Sequence, residues 1–595
     1  MSTAAVSHST RKVSGGAFLV EDLQPEEIFT LEDLSGEQKQ MAEIAAGFAD
    51  KQVLGNIQEI EAKNYVLSRK LMRDLGELGL LGVDAPEAYG GMGLGHVTSA
   101  LLTDKIAVSG SFSVTFSAHV GIGMLPLVWY GTPEQKQKYL PKLISGEWIA
   151  AYALSEASAG SDAMNIHTRA TLSPGGKHYV LNGEKMWISN AGMAGLFTIF
   201  AKVDGEKFTA FLVEAETPGL KVGTEEHKLG IRGSSTCPLV LADCHVPVEN
   251  VLGEIGKGHH IAFNVLDVGR YKLGAAAVGG ARTVLRDGIR YGRERIAFGK
   301  PVTSFGLIQE KIADTAADVY AAEAAVYRTV GAIDAAMPEG EKPAQQIQKA
   351  IEEFAVECSI LKFWGSEMLE RAVDKMLQIF GGCGYVEEYP VERAYRDSRI
   401  NKIFEGTNEI NRLITTGWMV KRAMQGRLAL LPAIKKVMDE VMAGPSLQAP
   451  PGGVLGAERN LVRNAKKLGL FCAGAASQKF GTELSEQQEV VGMLADMLAE
   501  IMVSESALLR AEKSAEQMPM GVRLAKYFIA NSFRRIVMLA EKLAAAVAEG
   551  DTLRTQMAIV RRLAKHEPVN TVTLGREISA AMVAAGRYTV EEVRG

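Results

Sequence analysis

From Trp148 to about Pro247 the apolar residues of this chain are spaced as in short β-strands, while on both sides they are spaced as in helices. That double switch constrains the fold more than any other feature. The runs Trp148 to Ala153, HYVLNG, LFTIFAKV, FTAFLVEA and CPLVLADCHV are separated by SPGG, NAG, DG and ETPG, the pattern of a small antiparallel β domain. Before it, Met41, Ile44 and Phe48, then Leu71, Leu75 and Leu78, recur at helical intervals. After it come long segments rich in Ala, Leu, Glu and Lys, including Pro301 to Ala336. The fold class expected is therefore mainly α with a small β domain. The expected units are a tail (1–34), an N-terminal α-helical domain (35–147), a middle antiparallel β domain (148–256), a second α-helical bundle (257–442), a Pro/Gly/Ser-rich linker (443–456) and a C-terminal α-helical extension (457–595).

Composition narrows the function. Five cysteines at irregular spacing, with no CxxC or matching His cluster, argue against a disulfide framework or structural zinc. The opening MSTAAVSHSTRKVSGG lacks the apolar core of a secretory signal and reads as a short disordered tail. No apolar run is judged long enough to span a bilayer, so a cytoplasmic protein is expected. Residues 451–595 hold 19 basic against 16 acidic residues, a net of +3, too weak to argue for nucleic acid.

Several clusters could carry chemistry. Glu405 lies in FEGTNEI between Phe404 and Gly406, where burial can raise a carboxyl's proton affinity and the glycine lets a ligand approach the backbone. That suits a general base; an ordinary loop glutamate is the alternative. In YALSEASAGSD, small residues around Ser155 and Ser161 could admit a flat polar ring or a phosphate, or form a serine-rich turn. NGEKMWISNA sets Trp187 beside Ser189, an indole that could cover an aromatic cofactor or fill a core. In RERIAFGKP, Arg295 and Phe298 sit three apart, and QIFGGCGY offers backbone N–H groups to an anion or caps a helix. GMGLGH partly fits a dinucleotide fingerprint, but no strand–turn–helix unit surrounds it and it reads as a turn.

In this order PEAYGG, YALSEASAGSD, NGEKMWISN, RERIAFGKP, LQIFGGCGY and RDSRINKIFEGTNEI resemble the acyl-CoA dehydrogenase family over roughly residues 35 to 420. FGLIQEKIAD and the C-terminal extension look most like its very-long-chain branch. The resemblance implies a homo-oligomeric flavoenzyme, a dimer in that branch, with non-covalent FAD between the β domain and the second helical domain. It puts Leu154, Ser155, Trp187 and Ser189 at the isoalloxazine, and Arg295, Phe298, Gln378 and Gly382 at FAD across a subunit interface. Thr407 and Glu409 fall on further FAD contacts. Ser161, Asp267, Arg270 and Gly406 fall on the acyl-CoA, and Glu405 on the catalytic base, whose N–H helps a ribityl hydroxyl polarise the thioester carbonyl.

The implied activity is dehydrogenation of acyl-CoA, on long chains, to trans-2-enoyl-CoA in fatty acid β-oxidation, with electrons passed to an electron-transfer flavoprotein. Rival readings are an acyl-CoA oxidase and a non-catalytic flavoprotein with an assembly or nucleic-acid role. Gly306 replaces a glutamine that contacts FAD in shorter-chain members, and Ala157-Ser158 replaces the usual Pro-Gly. Gly121 and Gly123 would either deepen the acyl cavity or relax helix packing. Residues 426–441 read as a packed surface helix, with only weak support for peripheral membrane contact.

Overall fold

The computed structural model describes residues 12–337, 344–443 and 452–590. In the N-terminal helical domain, Gly36–Phe48 starts at a reciprocal cap in which Ser35 Oγ accepts from the Gln38 N–H and Gln38 Oε1 from the Ser35 N–H. Tyr65–Glu77, Gly95–Ile106, Gly110–Ser117 and Pro133–Ile144 follow. Gly95–Ile106 buries every residue except Gly95 and Lys105 and forms the centre of this layer. The helical stretch Gly110–Tyr130 corrects the expectation that no apolar run is long enough to span a bilayer. By length and composition it qualifies, but 83% of its apolar window is buried inside the protein, where it packs as a core element.

The sheet has eight strands: β1 (Ile149–Ala153), β2 (Arg169–Leu172), β3 (His178–Ser189), β4 (Ala194–Val203), β5 (Lys207–Glu214), β6 (Leu220–Val222), β7 (Thr236–Pro247) and β8 (Val251–Leu252). The spatial order is β6-β7-β3-β2-β4-β5-β8, with β1 also on β4. Most pairs are antiparallel, as expected, but β1 and β2 both run parallel to β4 and share one of its edges. Strand spacing alone does not set direction. The linkers that return β1 and β2 to the same side of β4 do.

Three long helices, Gly258–Glu294, Gly306–Ala336 and Ala355–Phe380, build the second helical layer. The first meets the N-terminal domain closely at Gly279, where a Cβ would stand 2.1 Å from the Asp104 carbonyl oxygen. Beyond the linker, of which 444–451 lie outside the described residues, Gln488–Lys513 and Pro519–Val547 pack on this layer, and Gly456–Phe480 packs on those two helices. Buried charges join the units: Arg510 of the extension bonds Glu32 and Glu323, and Arg282 bonds Glu323 and Asp104. In Leu430–Ala443, Val437 and Val441 are buried while Leu431 is exposed, so the helix packs on one side.

The tail is corrected from residue 12 onward. Ala17, Phe18 and Leu19 are buried, Leu23 and Ile28 pack with Leu509, and the Gly15 and Gly16 N–H groups donate to Glu353 and Glu357. Its few apolar residues suffice because their partners come from helices hundreds of residues away.

Candidate active site

A cavity of about 610 Å³ opens where the sheet, the Ala118–Gly123 turn, the helix Gly258–Glu294 and the loop at 404–406 meet. Leu154, Ser155, Ser161, Trp187, Ser189, Asp267, Arg270, Glu405 and Gly406 all line it. Residues from three sequence regions converge there.

Trp187 reaches the cavity through a bulge. The β3–β7 register shifts between Lys185 and Ile188, and Trp187 takes φ 57°, which turns its side chain out of the sheet and leaves it 57% exposed. Ser155 is held by the Met186 N–H, which donates to its carbonyl at 3.0 Å. The turn after it closes with reciprocal 3.1 Å bonds between Glu156 and Ala159, so Ala157-Ser158 makes a regular turn. Beneath, the fully buried Lys185 donates to Glu156 Oε1 at 2.7 Å and to the Leu154 carbonyl at 3.1 Å. This ion pair, absent from the sequence reading, fixes the serine-bearing loop to β3.

Glu405 also has a left-handed backbone, φ 59°, followed by Gly406 at φ 79°. Such a turn costs a non-glycine residue about 1–2 kcal/mol, and here several donors hold it. Lys362 Nζ donates to the Gly406 carbonyl at 2.6 Å, and Asn411 Nδ2 donates to the Gly406 and Thr407 carbonyls at 2.8 and 3.0 Å. The turn directs the Glu405 carboxylate against Gly269, where a Cβ would lie 2.6 Å from Oε2. Oε2 is buried without a hydrogen-bond partner. Burial pushes the Glu405 carboxyl up to about 7, against the opposing pull of Arg270 and Lys362. Arg270 is itself paired with Asp267 at 2.5 Å.

The remaining candidates lie elsewhere. Thr407 caps Asn408–Met424, its Oγ1 accepting from the Ile410 N–H, and Glu409 is exposed in the first turn of that helix. Arg295 ends the helix Gly258–Glu294, and Phe298 is 95% exposed on the hairpin after it. Gln378 and Gly382 are exposed at the end of Ala355–Phe380. None of these six lines the cavity. Gly123 abuts β1, where a Cβ would meet the Ala118 carbonyl at 2.7 Å and Ala150 Cβ at 2.8 Å, so it serves packing. A Cβ on Gly121 would meet only Lys272 Cδ, at 3.6 Å. Sequence reasoning missed Gly269, Lys185 and Lys362. A lone lysine in the apolar run SILKFW was the available signal for Lys362.

Sequence models of the acyl-CoA dehydrogenase N-terminal, middle and C-terminal domains match residues 35–147, 151–244 and 256–419, and a further C-terminal domain of the same description matches 464–562. The chain belongs to the acyl-CoA dehydrogenase family. A probable acyl-CoA dehydrogenase of Bacillus subtilis is 46% identical over 585 residues, 97% of this chain and 98% of the relative. The mitochondrial very long-chain specific acyl-CoA dehydrogenase of Macaca fascicularis is 40% identical over 59% of this chain, which matches just over half (54%) of that relative. A crystal structure of an acyl-CoA dehydrogenase from Bacillus anthracis, complexed with FAD, superposes with TM-score 0.95 at 45% identity, covering 97% of this chain and all of that one. The acyl-CoA dehydrogenase domains so matched contribute all of the cavity lining but Lys421.

Proposed function

We propose that this chain is an FAD-dependent acyl-CoA dehydrogenase that uses Glu405 to remove an α proton from an acyl-CoA thioester and yields a trans-2-enoyl-CoA. The carrying observation is the Glu405 carboxylate, half-buried, unpartnered at its buried Oε2 and raised to about 7, in a cavity that also presents an outward-turned indole. A base near neutrality combines the right protonation state with driving force for proton transfer.

The residues fit FAD. The exposed indole of Trp187 offers a face to a flat ring, and the Ser155 and Ser189 hydroxyls, with the small Gly160 beside them, offer polar contacts to its edge. When bound, FAD supplies the two-electron acceptor for the reaction. Arg270 and Asp267 suit the polar part of the acyl-CoA, and Ala118 and Ile122 give the cavity apolar surface for the acyl chain. Gly406 lets the thioester lie against the chain, where the Glu405 N–H can polarise its carbonyl.

The very long-chain specific relatives support long acyl chains as substrates; with that substrate class the reading extends to fatty acid β-oxidation as the setting and an electron-transfer flavoprotein as acceptor. A dimer is favoured by the surface around Arg295, where Ile296, Phe298 and Tyr385 are 56%, 95% and 85% exposed. A partner subunit there would bring Arg295, Phe298, Gln378 and Gly382 to FAD. Turnover of a series of acyl-CoA lengths, with electron-transfer flavoprotein or oxygen as acceptor, tests the assignment. Best turnover on butyryl-CoA would overturn the long-chain reading, and rapid peroxide formation would favour an oxidase.

A further inference from the structure

Lys362 sits at the centre of Ala355–Phe380, directly beneath the catalytic turn, with 0% of its side chain exposed. Burying an ammonium is costly unless hydrogen bonds and opposite charge offset it. Its two hydrogen bonds go to the Gly406 carbonyl at 2.6 Å and Asn408 Oδ1 at 2.8 Å. Asn408 is in turn fixed by the Phe363 carbonyl and the side chains of Ser366 and Glu367. The lysine therefore grips the peptide that follows Glu405 from below, while Gly269 limits the carboxylate from the side.

We propose that Lys362 is a positioning residue: its buried amine holds the left-handed turn at Glu405–Gly406, and its charge stabilises the carboxylate of the base. The inference rests on the reading of Glu405 as the base. Charged and titratable groups face the pair from the surrounding elements. Arg270, paired with Asp267, comes from Gly258–Glu294; Glu367 shares the lysine's own helix; Glu409 comes from Asn408–Met424; Tyr152 comes from β1. Burial pulls the lysine down to about 7, the value to which burial raises Glu405. Against that burial, each group's charge draws the other back toward its ionised form.

Two variants separate holding from charge. Lys362→Gln keeps a donor for the Gly406 carbonyl without the charge, and Lys362→Met removes both. The readouts on the FAD-loaded protein are the infrared band of the protonated Glu405 carboxyl, assigned by its loss in Glu405→Gln, and the pH profile of kcat/KM.

In both variants the carboxyl titration and the acid limb of the profile should move up by about one pH unit. At pH 7 that shift alone lowers kcat/KM about five-fold. Lys362→Met should also lower the plateau rate at high pH, because the turn is no longer held. An unmoved carboxyl titration in both variants would overturn the inference, even if thermal stability fell. Should Lys362→Met fail to fold, Lys362→Gln decides. Should the wild type not turn over acyl-CoA, the proposed function fails, while the infrared titration still decides the role of Lys362.

Discussion

Replacing Gly269 by alanine should separate catalysis from stability. The new Cβ would stand 2.6 Å from Glu405 Oε2, 2.8 Å from its Cδ and 3.1 Å from Oε1, all shorter than ordinary van der Waals contact. Gly269 lies inside the 37-residue helix Gly258–Glu294, so the backbone cannot yield without breaking helical hydrogen bonds. The carboxylate must therefore retreat by about 1 Å, and a misplacement of about that size can cost about 10²-fold in rate. That is about 2.7 kcal/mol on the barrier. The same change favours the helix by about 1 kcal/mol, since glycine is the poorer helix former. Steady-state kinetics on an acyl-CoA with an artificial electron acceptor, run beside thermal denaturation, reads both effects. The expected result is kcat/KM down about 100-fold with the unfolding temperature unchanged or raised. Gly269→Ala with undiminished kcat/KM would refute the placement of the base.

The other consequences can be checked more briefly. Trp187→Ala should purify with much less FAD while the apo protein melts as before, because the indole is turned out of the sheet; retained flavin would mean that the bulge does not serve the cofactor. Arg510→Met leaves Glu32 without its cation and Glu323 with Arg282 alone, so it should destabilise the protein by about 3 kcal/mol and make the chain before residue 34 sensitive to protease. The free-enzyme pH profile of kcat/KM should rise as pH increases through about 7, because the base must lose its proton; an acid limb near the ordinary glutamate value would contradict its burial. The stability sign is opposite. A carboxyl raised on folding favours the fold while protonated, so that contribution is lost as pH rises from the ordinary value through about 7, and Glu405→Gln should flatten that part of the stability curve.

The helix–strand–helix order was legible because a change in hydrophobic period is a local signal, readable from the run around LFTIFAKV without knowing its neighbours. The site was legible in its parts: Trp187, Ser155 and Glu405 stand out by type and company. The reasons for their orientations were not. Trp187 leaves the sheet through a register shift against β7, about fifty residues away. Glu405 is aimed by Gly269 and Lys362, which belong to other helices. The docking of Phe18 and Leu19, inside the stretch 1–34 assigned to a tail, depends on helices more than four hundred residues away, which no local pattern announces. Each failure has one cause: the deciding contact joins residues far apart in sequence.

The central claim is that Glu405 takes the proton. The most direct test is to add a long-chain acyl-CoA, under nitrogen, to flavin-loaded wild-type protein and to Glu405→Gln with equal flavin content, following the flavin absorbance band. The wild type should bleach promptly and Glu405→Gln should not. Bleaching of Glu405→Gln at the wild-type rate would place the base elsewhere.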